Sequence, residues 1–461
     1  MKSGCQVGFE GFRLIAPPPP PLTSIVLGRQ QLVGRSSHRS MAMLKPTLDC
    51  VGDDPRIWLE EVEAEDCLAW VRSINAQATQ TLGEPSESDT YKRILAILDS
   101  KDKIPSVGRV LNGLYYNFWQ DDVHVKGIWR RCTLDEYRKP APAWEEVLDL
   151  DALSAKEGVT WVWKGSTVLD EGAGVPAERV LLKLSRGGSD AVEVREFDLN
   201  SKRFLPAADG GFFVPEAKTF VTYKDRDTLH IGTDMTPFGV DGSLTDSGYP
   251  RTAYEWKRGT PLSAASLLFE GKKEDVLVVT MHHRERAFWH SMRERAITFY
   301  TSEYFAANEA GDFVQVPVQE DAKLDTFVDQ YIIELRSDWA VGGRTFPAGS
   351  LLATAALPFL SGDVSGLVAL FTPTETASLQ DKCDTYNYLI LECLDDVRSE
   401  LRFWRYTHPA AGAKGTWALE RSFKGEGIGS LSVGSSNANE SDEIWLTTTS
   451  YTQPTAYELA T

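Results

Sequence analysis

From about residue 105 to the end of the chain, short runs of alternating apolar and polar residues recur at close spacing, separated by turn residues. In "VLLKLS", Val180, Leu182 and Leu184 share one face while Lys183 and Ser185 take the other, because successive side chains of a strand point to opposite faces. "AVEVREFDL" follows across the turn-like stretch "RGGSDA". "KTFVTYKDRDTLHIGTD" reads as strand, turn and strand, with Asp225, Arg226 and Asp227 at the tip. "DVLVVTMHH", "AITFYTSEYF", "QYIIELRSD", "SLLATAALPF", "GLVALFTPT", "YNYLILECLDD", "LRFWRYTH" and "DEIWLTTTSY" continue the pattern. Strands at this spacing with glycine-rich turns argue for an all-β repeat fold. No long helical pattern interrupts them, which argues against parallel βαβ units. At roughly 40–50 residues per four-stranded blade, the ~350 residues make about seven blades of a β-propeller. The 461-residue length fits this architecture: it exceeds one ordinary compact core, whereas repeated sheets grow without thickening theirs.

The residues before this region differ. Residues 53–103 read as a helical arm. Its first segment carries Leu68, Val71, Ile74 and Ala78 at helical spacing, and its second carries Tyr91, Ile94, Leu95 and Leu98, with Ser88 as N-cap. Both helices are apolar on one side and call for a packing partner. Residues 1–52 read as a disordered leader, or as the product of a start codon set too far upstream of Met41 or Met43. Up to residue 48 they hold six basic residues (Lys2, Arg13, Arg29, Arg35, Arg39, Lys45), one acid, Glu10, and a proline run from Pro17 to Pro21. The run breaks the apolar core a secretory signal needs; a basic, acid-poor transit peptide to an organelle is the alternative.

Composition removes other classes. The formal net charge of −18 repels phosphate backbones, so nucleic acid is not an expected partner. No apolar run approaches the ~18 residues of a membrane span, so no membrane partner is expected. The six cysteines (Cys5, Cys50, Cys67, Cys132, Cys383, Cys393) form no C-x-x-C pair and no dense framework, which suggests reduced thiols and a cytoplasmic location.

The chemistry-bearing residues are sparse. A serine hydrolase of the α/β type needs G-x-S-x-G between a strand and a helix. The nearest approaches surround Ser189 and Ser436; both lack the last glycine and are followed by strand-like sequence. Chain order also tells against them, because the histidine of such a site follows its serine. Nothing follows Ser436, since the last histidine is His408, and Ser189 is followed only by His230, His282, His283, His290 and His408 in strand or turn contexts. Ser189 is therefore expected at a hairpin turn. His282 and His283 are adjacent and should face opposite ways, so with His290 they read as surface or packing residues rather than metal ligands. Asp149, Asp151 and Glu157 lack calcium-loop spacing and are expected in a solvated loop. Trp119, Trp129, Trp161 and Trp163 are expected to fill gaps between blades rather than line a pocket. The residues give no catalytic, cofactor or metal site.

Several long blocks, in consistent order from about residue 53 to 461, resemble one family. They include "DPRIWLEEVEAEDCLAWVRSIN", "YYNFWQDDVHVKGIWRRCTLDEYR", "LSRGGSDAVEVREFDLNSKRF", "SLTDSGYPRTAYEWKRGTPL" and "SYTQPTAYEL". The chain is similar to the N-terminal region of the prolyl oligopeptidase family of serine peptidases. That resemblance implies a helical arm and a seven-bladed propeller that admits short peptides to an α/β-hydrolase domain carrying a Ser-Asp-His triad. None of the triad positions is found in these 461 residues, so the chain alone is expected to be inactive. A separate hydrolase chain is one partner the resemblance allows. A stand-alone propeller binding a peptide or protein is the rival reading.

Overall fold

The computed structural model describes residues 56–61, 64–408, 415–425 and 429–460. The leader expected over residues 1–52 lies outside them. The chain divides between Asp102 and Lys103, and the two units are taken separately.

The arm contains two helices, α1 (Glu65–Leu82) and α2 (Asp89–Leu98). Ser88 caps α2 as its sequence suggests, its Oγ accepting from Tyr91 N at 3.1 Å. Ahead of α1, Trp58 packs edge-on against Trp70, and the buried Cys67 thiol donates to Trp58 O. The apolar faces are uncovered: Leu68 is 38% exposed, Ile94 52% and Leu98 64%.

The larger unit is a seven-bladed propeller. Blade 1 spans residues 109–149, blade 2 161–217, blade 3 220–270, blade 4 277–315, blade 5 323–371, blade 6 377–424 and blade 7 429–460. Each is built as an antiparallel meander, with an inserted hairpin (Trp339–Val341, Arg344–Phe346) in blade 5, three strands in blade 7, and a fifth strand in blade 2, Phe213–Ala217, that pairs with Val192–Asp198. Elsewhere pairing follows chain order because each turn returns the chain beside the strand it has just left. First strands of neighbouring blades touch: Phe220–Asp225 meets both Trp161–Val168 and Leu277–Glu285. These first strands therefore surround the axis.

Wedge-shaped gaps between blades hold large rings, as expected of Trp129 and Trp163, whereas Trp119 lies under the Arg130 guanidinium of its own blade. Trp129 of blade 1 lies 5.2 Å from Trp163 and 6.2 Å from Phe197 of blade 2. Blades 7 and 1 are separate sheets, joined at the ring closure by side-chain packing and a backbone hydrogen bond. Trp445 stacks on Tyr457 at 4.7 Å and meets Tyr137 and Tyr115 edge-on. Tyr115 Oη donates to Glu443, and Val110 N to Ser436 O at 3.1 Å.

Two sequence expectations need correction. The stretch around Asp149, Asp151 and Glu157 is not a solvated loop: Leu150–Glu157 is helical. Asp149 caps it through Ala152 N, Leu150 and Leu153 are buried, and Gly158 ends it at φ +67°. Asp151 accepts from Lys126 N and Gly127 N, and Glu157 from Arg195 and Trp161 Nε1. "SLLATAALPF" is a strand only to Ala355, after which Ala356–Leu360 is helical and buries Phe359.

One close approach yields a prediction. Gly127 sits at φ +107°, and a Cβ there would lie 2.3 Å from Phe118 Cζ. Both the left-handed backbone and the contact oppose a side chain. Gly127→Ala is expected to lower unfolding stability by about 2–4 kcal/mol in chemical denaturation.

Candidate functional site at the axial end of the propeller

Every first strand runs in the same sense, so the turns leaving them gather at one end of the ring. They are residues 112–113, 169–178, 226–227, 286–287, 328–329, 385–387 and 436–443 in blades 1 to 7. Neighbouring turns are linked. Asn112 exchanges hydrogen bonds of 2.8 Å with the backbone of Ala177. Arg226 binds Glu171 and Glu178. Asp442 accepts from Thr385 Oγ1, Asn387 N and Asn387 Nδ2, each at 2.7 Å.

Blade 4 departs from this pattern. Its first two strands, Leu277–Glu285 and Phe288–Ala296, pair without a break down to Glu285 opposite Phe288. The third strand pairs only with Met292–Ala296. The last four pairs therefore form a two-stranded ribbon beyond the blade.

His282 and His283 face opposite ways on this ribbon, as strand alternation requires. On the blade 3 side, His282 stacks on Trp289 at 4.9 Å and lies 6.0 Å from His230. Burial, then the facing imidazole, pushes His230 down to about 4; burial, then His283, does the same to His282. Both rings are neutral at pH 7. On the blade 5 side, Thr326 Oγ1 donates to Glu285 Oε1 at 2.6 Å, so His283 Nε2 is the donor to Thr326 Oγ1, 2.9 Å away. His290 Nε2 donates to Val328 O at 2.6 Å, and Val328 N to Glu285 Oε2 at 2.6 Å. These bonds hold a β-branched residue at φ +59°, a conformation such residues avoid. Phe288 lies 5.0 Å from His408, which is 3.5 Å from Asp329.

A serine–histidine hydrogen bond does occur here, His282 Nδ1 to Ser291 Oγ at 2.8 Å. Sequence reasoning missed it because it depends on which residues stand opposite in the ladder. The two are a cross-strand pair, and among the described residues no carboxylate is bonded to that imidazole. It lacks the orienting acid and strand-to-helix turn of a serine nucleophile.

Ser189 is at a hairpin turn, as expected. It connects Arg179–Arg186 and Val192–Asp198, which pair antiparallel. Gly187 and Gly188 have φ of +71° and +96°, and Ser185 Oγ donates to Ser189 O. Ser436 is buried, with its carbonyl used at the blade 7 to blade 1 closure. Among the described residues, neither serine is hydrogen-bonded to a histidine. No group of three or more potential metal ligands occurs among the described residues.

A half-buried carboxyl elsewhere in blade 4 gives a pH-dependent prediction. Glu294 accepts from Ser302 Oγ at 2.8 Å, and burial pushes it up to about 7. The folded state then holds a proton between pH ~4.5 and ~7 that the unfolded state has released, so this group's contribution is lost as pH rises through 7. Glu294→Gln is expected to be neutral at pH 4.5 and stabilising by up to about 3 kcal/mol at pH 8, read from unfolding midpoints at the two pH values.

Comparison with known proteins places this propeller. Residues 36–289, more than half of the chain, match the model of the prolyl oligopeptidase N-terminal beta-propeller domain. The chain belongs to the prolyl oligopeptidase family. It is 33% identical over 411 residues to the uncharacterized peptidase y4nA of Sinorhizobium fredii, covering 87% of this chain and 54% of that one. It is 29% identical over 360 residues to the uncharacterized peptidase RP174 of Rickettsia prowazekii, covering 75% and 48%. The chain thus spans about half the length of the curated relatives it matches. Among solved structures, a post-proline cleaving enzyme from Rickettsia typhi superimposes with a TM-score of 0.75 at 25% identity, over 87% of this chain and 58% of that one. Oligopeptidase B from Leishmania major, at 12% identity and TM-score 0.63, shares the fold. Within this prolyl oligopeptidase family propeller, blade 4's ribbon makes polar contacts with blades 2, 5 and 7. Among the described residues no helix is long and apolar enough to cross a membrane.

Proposed function

We propose that this propeller is the substrate-admitting part of a serine peptidase, limiting access to an α/β-hydrolase domain to short, proline-containing peptides. The observation that carries the reading is the match to the N-terminal propeller of the family, over about half the length of relatives named as peptidases. The post-proline cleaving activity of the Rickettsia typhi enzyme supports the substrate class. The exposed apolar faces of α1 and α2 support a partner surface for the arm, the role the hydrolase domain would fill.

Two measurements test it. The purified 461-residue chain is expected to leave a proline-containing chromogenic peptide intact. Turnover that survives purification and disappears in Ser189→Ala or Ser291→Ala would place the chemistry in the propeller and end the proposal. The genomic sequence after the Thr461 codon is expected to continue in frame into a segment containing G-x-S-x-G. A stop codon there supports the stand-alone binding propeller instead.

A further inference from the structure

The ribbon of blade 4 touches parts of the ring that a blade tip should not reach. Blade 7 lies across the axis from blade 4, yet Asn439 in its turn holds the ribbon's backbone: its Oδ1 accepts from Arg286 N and its Nδ2 donates to Arg284 O, both at 2.9 Å. Blade 2 is reached as well, where Arg284 Nε donates to Asp170 Oδ1 at 2.9 Å. Arg284 is buried. The Arg286 guanidinium lies over Tyr386 of blade 6, 4.7 Å from its centroid. An element rooted in blade 4 that meets blades 2, 6 and 7 together has to cross the axis.

From this geometry we propose that the ribbon is a strap closing the axial channel at this end of the propeller, and that it opens as a unit when its latch, Asn439 and Asp170, is released. Two-stranded ribbons are marginal by themselves, so the position of this one rests on its contacts. These fall into three sets, the first at the ribbon's root, where Thr222 Oγ1 of blade 3 donates to His282 O at 3.2 Å. Glu285 and His290 fasten it to Val328 and Thr326 of the adjacent blade 5, which makes that side the hinge. Three hydrogen bonds fasten the far side, one of them between charged groups. Asn439 uses both halves of its amide on the ribbon backbone, as a neighbouring strand would. Releasing it exposes Arg286 N–H and Arg284 C=O, a strand-edge pair that an extended peptide can engage in its place. The inference holds for the chain whether or not the proposed peptidase role does.

Amide hydrogen exchange on the 461-residue chain tests it, with trypsin as a second probe because Arg284 and Arg286 are its own cleavage points. Amides 283–289 are expected to be protected well above the exposed turn at 308–312. In the double variant Asn439→Ala, Asp170→Ala, exchange at 283–289 and cleavage after Arg284 and Arg286 should rise at least about tenfold, since both follow the open population. Protection at 278–280 and 332–333 should stay unchanged. Asn439→Asp, which keeps the acceptor and loses the donor, should give a smaller rise. Unchanged exchange at 283–289 in the double variant overturns the proposal, as does wild-type exchange there as fast as at 308–312. Should the double variant lose protection at 278–280 through general unfolding, Asn439→Asp decides by the same two readings.

Discussion

Glu196→Ala is expected to cost about 3–5 kcal/mol of unfolding free energy, the range for removing one partner of a buried ion pair. Glu196 has no exposed surface. Its carboxylate receives Arg258 Nη1 at 2.6 Å and Nη2 at 2.9 Å, Tyr223 Oη at 2.9 Å and Phe212 N at 3.0 Å. Burial, then the Glu196 charge, pushes the Tyr223 phenol well above its usual range. Glu196 belongs to blade 2, whereas Tyr223 and Arg258 belong to blade 3, so the network fixes one blade against the next. Removing the carboxylate leaves the buried Tyr223 hydroxyl and Phe212 N–H without an acceptor, and the half-buried Arg258 with only Asp227 and backbone carbonyls. Glu196→Gln keeps an acceptor and should lose less. Urea titrations of the three proteins check the order; an alanine variant within 1 kcal/mol of wild type would show that the cation finds water or other partners.

Trp445→Ala should cost a similar amount, about 3–5 kcal/mol, the range for deleting a large buried aromatic. Its effect should also be localised. Trp445 is buried among Tyr115, Tyr137 and Tyr457 at the closure of blade 7 on blade 1. These rings join the two blades together with Tyr115 Oη to Glu443, Val107 N to Tyr457 Oη and Val110 N to Ser436 O. Hydrogen exchange in this variant should rise first in residues 107–116 and 444–460, while blades 3 to 5 keep wild-type protection. Uniform acceleration across all seven blades would mean that the ring unfolds as one body and that the closure is no weaker than any other blade contact.

The blades were legible because alternation and turn residues act locally. Val180, Leu182 and Leu184 mark a strand without reference to anything distant, and the two glycines before Ser189 mark the turn that follows. The Leu150–Glu157 helix was not legible. It is only eight residues long and buries two leucines, too little periodicity to register, and its carboxylates look like those of a loop until Asp149 is seen capping and Asp151 is seen holding Lys126 and Gly127. The ribbon at the axial end was illegible for another reason. Residues 282–291 are mostly polar, and nothing local shows that the third strand stops at Met292 or that Asn439, some 150 positions later, meets Arg284 and Arg286. Contacts across a ring arise from closing it, and local patterns carry no record of closure.

The role proposed for this propeller is to decide which substrates reach a peptidase site. The most direct measurement uses this chain joined to the proposed α/β-hydrolase domain. It compares kcat/KM for a short proline-containing peptide free in solution with that for the same peptide displayed in a surface loop of a stably folded carrier. Cleavage of the free peptide and no detectable cleavage of the displayed one are expected. Comparable rates for the two would contradict that role, because a site that accepts a folded carrier is not screened by the propeller.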